Sequence, residues 1–172
     1  DEAYIDFAAG KSCLSLLDSY DNLVVMQTFS KAWGLAGIRL GMAFAGEAII
    51  ELMNKVKPPY NINQLTQEAV LKALDNEAQQ KQWVTSLLGQ RVLLQQFLSG
   101  LEFVTRVYPS DANFLLVKVE GPQVLYDYLV GQKIIVRDRS NVTLCEGCLR
   151  ITVGTPEENK RLVQALVEYD NA

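Results

Sequence analysis

Apolar and polar positions divide the chain into two textures. Residues 22 to 29, NLVVMQTF, form a Val-rich run of the kind that fills a buried strand of a parallel sheet. IRLGMAFAG, residues 38 to 46, reads as a second strand. After Gly46, EAIIELMNKV places Ile49, Ile50, Met53 and Val56 on one helical face, and Pro58 and Pro59 end that helix. INQLTQEAVLKALD predicts another amphipathic helix, with Leu65, Ala69 and Leu74 as buried candidates and Asn61 shaping its entrance. A long helical pattern then runs from Glu77 to Leu98; Trp83, Leu87, Leu94 and Leu98 mark its apolar side and Gly100 closes it.

Beyond Gly100 four short strands are expected, in FVTRVYP, NFLLVKV, IIVRD and CLRITVG. Helices punctuate them. One starts at GPQVLYDYLV with Pro122 in its first turn; another starts at TPEENKRLVQALVEY, where Thr155, Pro156 and Glu158 make a capping box with proline at the first helical position. The pattern predicts an α/β chain in three parts. Residues 1–75 belong to a larger domain with a mostly parallel sheet, residues 76–100 form a joining helix, and residues 101–172 form a small α+β domain.

Composition narrows the chemistry. A net charge of −4 with scattered Lys and Arg offers no basic stripe to neutralise phosphates, which argues against a nucleic-acid binder. No run of eighteen apolar residues suggests a membrane span. Histidine is absent, which removes Ser-His-Asp, Cys-His and most zinc-hydrolase schemes. The three cysteines are Cys13, Cys145 and Cys148, and the last two form CEGC. Zinc would want a second pair that the chain lacks, and a redox pair is expected at a helix N-terminus, whereas a strand follows here. CEGC therefore reads as a turn with two reduced thiols, and the odd cysteine count fits a reducing, cytoplasmic setting. No metal site is expected. The acidic opening DEAYID, without Met, reads as a continuation of a longer polypeptide.

TFSKAWGLAGIRLG, residues 28 to 41, carries the candidate chemistry. Glycine-rich turns at the carboxyl ends of strands are where open α/β sheets bind ligands. The order of residues matches neither the Walker loop nor G-x-G-x-x-G. Thr28 and Ser30 nonetheless supply hydroxyls, and Arg39 a guanidinium fork, suited to an anion. On spacing alone, a structural turn and an anion site are equally good readings.

Asp1 and Tyr4 of DEAY, taken with TFSKAWGLAGIRLG, resemble the active-site signature of fold-type I pyridoxal-phosphate enzymes, within the class I/II aminotransferase family. The spacing from Lys31 to Arg39 matches that family. PPYNIN, IIVRD and GCLRITVGTPEEN follow in family order, and together they resemble its histidinol-phosphate branch, with the likeness running to about residue 165.

The resemblance implies a role for each residue. Lys31 would bond the aldehyde of pyridoxal 5'-phosphate and later carry a proton. Asp1 would pair with the ring nitrogen and keep it protonated, and Tyr4 would hydrogen-bond the ring's phenolic oxygen. Thr28, Ser30 and Arg39 would hold the cofactor phosphate, while Arg150 and Arg137 would bind substrate anions. The implied reaction passes an amino group between histidinol phosphate and 2-oxoglutarate, in a cytoplasmic homodimer. A threonine-phosphate decarboxylase, an aromatic aminotransferase and a non-catalytic fragment are the alternatives. The family's other cofactor contacts would lie upstream of Asp1, so the chain alone is expected to be inactive.

Overall fold

The computed structural model describes residues 1–171. It divides into two compact units, one ending at Val84 and the other beginning at Thr85. Strand β1 (Val24–Thr28) and strand β2 (Gly41–Ala45) are followed by helices α1 (Glu47–Val56), α2 (Gln64–Leu74) and α3 (Glu77–Leu98). The division between units falls inside α3. Next come β3 (Val104–Val107), β4 (Phe114–Val119), α4 (Pro122–Gly131), β5 (Arg137–Asp138), β6 (Cys148–Thr152) and α5 (Pro156–Asp170). No described helix is long and apolar enough to cross a membrane.

In the first unit the expected parallel pairing is not found. β1 and β2 pair antiparallel, with Val24 opposite Ala45 and Thr28 opposite Gly41. The reason lies in the connection: Phe29 to Leu40 contains only a three-residue 3-10 helix, Ala36–Ile38, whereas a parallel return needs a crossover long enough to run back along the sheet. Every strand pair among the described residues is in fact antiparallel.

The helices of this unit bury less than their patterns predict. Val56 is 82% and Leu65 77% exposed, and α2 instead buries Thr66 and Val70. Asn63, not Asn61, shapes the entrance to α2, accepting a bond from the Thr66 N–H at 2.9 Å. Amphipathicity shows that a helix has an apolar face; it does not show that something covers that face. Phe7, Val25, Phe29 and Ala32 are the buried apolar side chains nearest the β1–β2 loop in sequence.

The second unit has a continuous core. Its sheet runs β3-β4-β6-β5, and β6 pairs on both sides. Leu115 and Val117 of β4 and Leu149 and Ile151 of β6 are buried in one cluster with Leu125, Leu129, Leu162 and Leu166 from α4 and α5. From α3, Leu94 and Leu98 join that core, whereas Trp83 is 57% exposed. The predicted capping box is present: Thr155 Oγ1 accepts from the Glu158 N–H at 3.2 Å, and the Glu158 carboxylate accepts from the Thr155 N–H at 2.8 Å.

Truncating a fully buried leucine in such a core removes transfer energy and leaves a cavity. Leu149→Ala should lower the stability of the second unit by about 3 kcal/mol. Urea denaturation followed by the near-ultraviolet signal of Tyr128 and Tyr169, whose rings lie 5.1 Å apart, would measure it.

Candidate active site

The first group of candidate residues surrounds the β1–β2 loop. The chain opening is tied to β1 by the Glu2 N–H, which donates to Met26 O at 2.7 Å. This tie sets Asp1 and Tyr4 on either side of one anchored residue. Glu2 then acts as a clamp. Its carboxylate accepts from Ser12 Oγ at 2.7 Å, from the Cys13 N–H at 2.6 Å and from Gln27 Nε2 at 3.0 Å. Burial pushes the Glu2 carboxyl up, but the bonds from Gln27, Cys13 and Ser12 together outweigh it and leave it below the ordinary carboxylate range.

Lys31 follows the strand and is half-buried. Its Nζ lies 5.3 Å from the centroid of the Tyr4 ring, a cation–π distance. The Thr28 and Ser30 hydroxyls sit together at the strand end: Thr28 Oγ1 accepts from the Ser30 N–H at 3.0 Å and lies 2.9 Å from Ser30 Oγ. The structure thus brings Lys31 to Tyr4, and Thr28 to Ser30.

Asp1 and Arg39 have other contacts. Asp1 Oδ1 accepts from the Ala3 N–H at 2.8 Å. Arg39 adopts the left-handed conformation at φ 58, and its Nη1 donates to Ala36 O at 2.8 Å, folded over its own turn. It is exposed, and no described carboxylate stands within ion-pair distance of its guanidinium.

The second group lies on the sheet of the other unit. Arg137 and Arg150 are direct cross-strand partners, so both side chains leave the same face of the sheet. Like charges directly opposite destabilise a strand pair, and no described carboxylate stands within ion-pair distance of either. Arg150 Nε is buried without a hydrogen-bond partner, and its guanidinium lies 5.1 Å from the centroid of the Phe114 ring. Asp138 is committed elsewhere: its Oδ1 accepts from the Ser140 N–H at 2.8 Å, and that bond holds its carboxyl below the ordinary range. Two guanidinium groups without a described carboxylate partner, and an orphaned donor, have the chemistry to receive an anion.

Glu2 and Phe114 were missed by sequence reasoning. Glu2 looked like part of a solvated acidic opening, and Phe114 reaches Arg150 only through a strand register that no local pattern encodes.

The residues around Lys31 fit an aldehyde-bearing anionic cofactor: an amine on an aromatic face and, just before it in the chain, paired hydroxyls. Residues 1–166 match the family described as Aminotransferase class I and II, and the chain belongs to that family. It is 56% identical over 98% of its length to histidinol-phosphate aminotransferase from Cytophaga hutchinsonii, and covers 49% of that protein. Histidinol-phosphate aminotransferase from Sinorhizobium meliloti, solved in complex with pyridoxal-5'-phosphate, shares the fold with a TM-score of 0.87 at 24% identity, over 99% of this chain and 48% of that one. L-threonine-O-3-phosphate decarboxylase from Porphyromonas gingivalis also superposes with a TM-score of 0.87, at 26% identity, over 100% of this chain and 54% of that one. The chain spans about half the length of the curated relatives it matches.

The Glu2 clamp has a pH signature. A carboxyl held below its unfolded value stabilises the fold above that value, and the contribution is lost as pH falls through the folded one. Glu2→Gln should therefore destabilise the first unit at neutral pH and flatten its loss of stability below the ordinary carboxylate range. Thermal melts from neutral to acid pH, followed by Trp33 and Trp83 fluorescence, would reveal it. An unchanged acid limb would mean that other carboxylates govern it.

Proposed function

We propose that this chain carries the lysine and the substrate arginines of a pyridoxal-phosphate-dependent aminotransferase. The reaction exchanges an amino group between histidinol phosphate and 2-oxoglutarate, giving imidazole acetol phosphate and glutamate in histidine biosynthesis. The observation that carries this reading is Lys31 held on the Tyr4 face just beyond the paired hydroxyls of Thr28 and Ser30. The choice of substrate rests on the 56% identity to a histidinol-phosphate aminotransferase.

When bound, the cofactor supplies an electron sink that acidifies the hydrogen on the amino-bearing carbon of the substrate. The remaining work falls to the protein. Lys31 Nζ would be the amine that holds the cofactor through its aldehyde and the base that moves that proton. Asp1 would present its carboxylate to the ring nitrogen and favour its protonated form. Tyr4 would donate to the phenolic oxygen, and Thr28, Ser30 and Arg39 would hold the phosphate. Arg150 and Arg137 bind the substrate's anionic groups, which relieves the repulsion between them. The cofactor residues fall in large-domain residues 1–75 and the two arginines in small-domain residues 101–172, with the segment 76–100 joining them. The protein works in the cytoplasm as a homodimer, an assembly that would cover apolar side chains such as Leu52 and Leu71.

The likeness to a threonine-phosphate decarboxylase supports a second reading on the same cradle. Turnover separates the two, because a transaminase consumes both histidinol phosphate and 2-oxoglutarate, whereas a decarboxylase releases carbon dioxide and needs no second substrate.

In the enzyme that contains this chain, borohydride treatment in the presence of pyridoxal 5'-phosphate should attach the cofactor to Lys31 on peptide mapping. Attachment at another lysine would refute the assignment. The 172-residue chain alone should neither transaminate nor retain cofactor; stable cofactor absorbance abolished by Lys31→Ala would overturn that.

Removing a charge-assisted contact to a substrate costs roughly 1.5–3 kcal/mol. Arg150→Ala and Arg137→Ala should each raise the KM for an anionic substrate by about tenfold to a hundredfold. Steady-state kinetics with both substrates would show an unchanged KM if the arginines merely face solvent.

A further inference from the structure

Cys145 and Cys148 close a turn that the proposed reaction does not use. The Cys148 N–H donates to Cys145 O at 2.9 Å. Gly147 has φ 75, whereas Glu146 keeps a negative φ, the signature of a type II turn. In such a turn the first and fourth Cα atoms approach within about 7 Å, and disulfides span roughly 4.4–6.8 Å between Cα atoms.

The turn is pinned from both sides. The Val119 N–H donates to Gly147 O at 2.9 Å, and the Arg139 N–H to Cys148 O at 2.9 Å. These bonds fix Gly147 and Cys148 to the sheet margin, and Cys145 is tied to Cys148 through its carbonyl and to Val142 O through its N–H at 2.9 Å. Cys148 Sγ lies 3.8 Å from Glu146 O, so the thiol is directed back into the turn rather than along the strand. Both thiols are free. Cys148 is 1% exposed, and Cys145 is half-buried and reachable. Burial first, and then the nearness of Cys145, push the Cys148 thiol up.

We propose that Cys145 and Cys148 form a reversible thiol–disulfide site that is oxidised by low-molecular-weight disulfides. The Cys145 thiolate attacks one sulfur of the small disulfide; a mixed disulfide forms and the first small thiol leaves with a proton. The Cys148 sulfur, deprotonated, then attacks Cys145 Sγ. The intramolecular S–S bond forms and the second small thiol leaves. Two protein thiols are oxidised by two electrons, and one small disulfide is reduced to two thiols. The order follows from exposure, since Cys145 meets the oxidant and buried Cys148 resolves the adduct. The site stands independently of the transaminase reading.

The test uses the Cys13→Ser chain, which removes the exposed third thiol. After incubation with oxidised glutathione its mass should fall by two hydrogens with no glutathione retained, peptide mapping should join Cys145 to Cys148, and dithiothreitol should reverse the change. A persistent glutathione adduct on Cys145, or an unchanged mass, would overturn the proposal. Cys148→Ala in that background should trap one adduct on Cys145, and Cys145→Ala should leave Cys148 unmodified; modification of Cys148 alone would contradict the order of attack. Because the folded turn preorganises the pair, half-oxidation should need about tenfold less oxidised glutathione in native buffer than in urea. Equal requirements would mean that the fold contributes nothing and would also overturn it.

Discussion

The chain leaves β1 at Phe29 and must return as its antiparallel neighbour, and that closure fixes the loop that carries Lys31. The Phe29 N–H donates to Leu40 O at 3.3 Å, and the Leu35 N–H reaches back to Phe29 O at 3.0 Å. Phe29 is buried and meets the Trp33 ring edge-on at 5.7 Å, so the loop is weighted down by side chains as well as hydrogen bonds. At Gly41 a Cβ would stand 3.2 Å from Gln27 O, which makes a small residue the natural one where the strands rejoin. Lys31 therefore inherits its position from a closed circuit of backbone bonds, and the hydroxyls of Thr28 and Ser30 belong to the same circuit.

The second unit solves a different problem. Its sheet sets two arginines opposite each other, an arrangement that costs stability. A well-packed core behind the sheet tolerates that cost. Leu149 and Ile151 alternate with Arg150 along β6, so one face of the strand holds the sheet to its helices while the other presents charge. Binding an anion would then remove repulsion as well as add contacts.

The local signals in the sequence were faithful wherever the chain decides its own conformation. Thr155, Pro156 and Glu158 start α5 as their types predict, and the extents of α1 and α3 follow from their periodicity. The spacing from Lys31 to Arg39 and the motif around Arg150 single out those residues only through their resemblance to the family. What the sequence concealed depends on partners distant along the chain. The Val-rich run of β1 looked like a parallel strand because an apolar run records burial and says nothing of direction. Leu65 and Val56 looked buried because an apolar stripe does not reveal what covers it. The facing of Arg137 and Arg150 is a matter of register, and register emerges only when β5 finds β6.

Register also gives the two arginines different freedom. Arg150 lies on β6, paired to Leu116 on one side and Arg137 on the other, with its guanidinium against Phe114 and its Nε already buried. Arg137 lies on a two-residue edge strand and is exposed. A charge on a paired central strand is held in place, whereas one on a short edge can adapt its reach. The proposed reaction calls for that combination, because one site must accept both a dicarboxylate and a longer phosphate ester. Arg150 would fix one anionic group at a constant position, and Arg137 would follow whichever second partner the substrate brings. Exchanging the two positions would leave the charge unaltered and lose the distinction, so under the proposed reaction the strand order β4-β6-β5 would itself contribute to specificity.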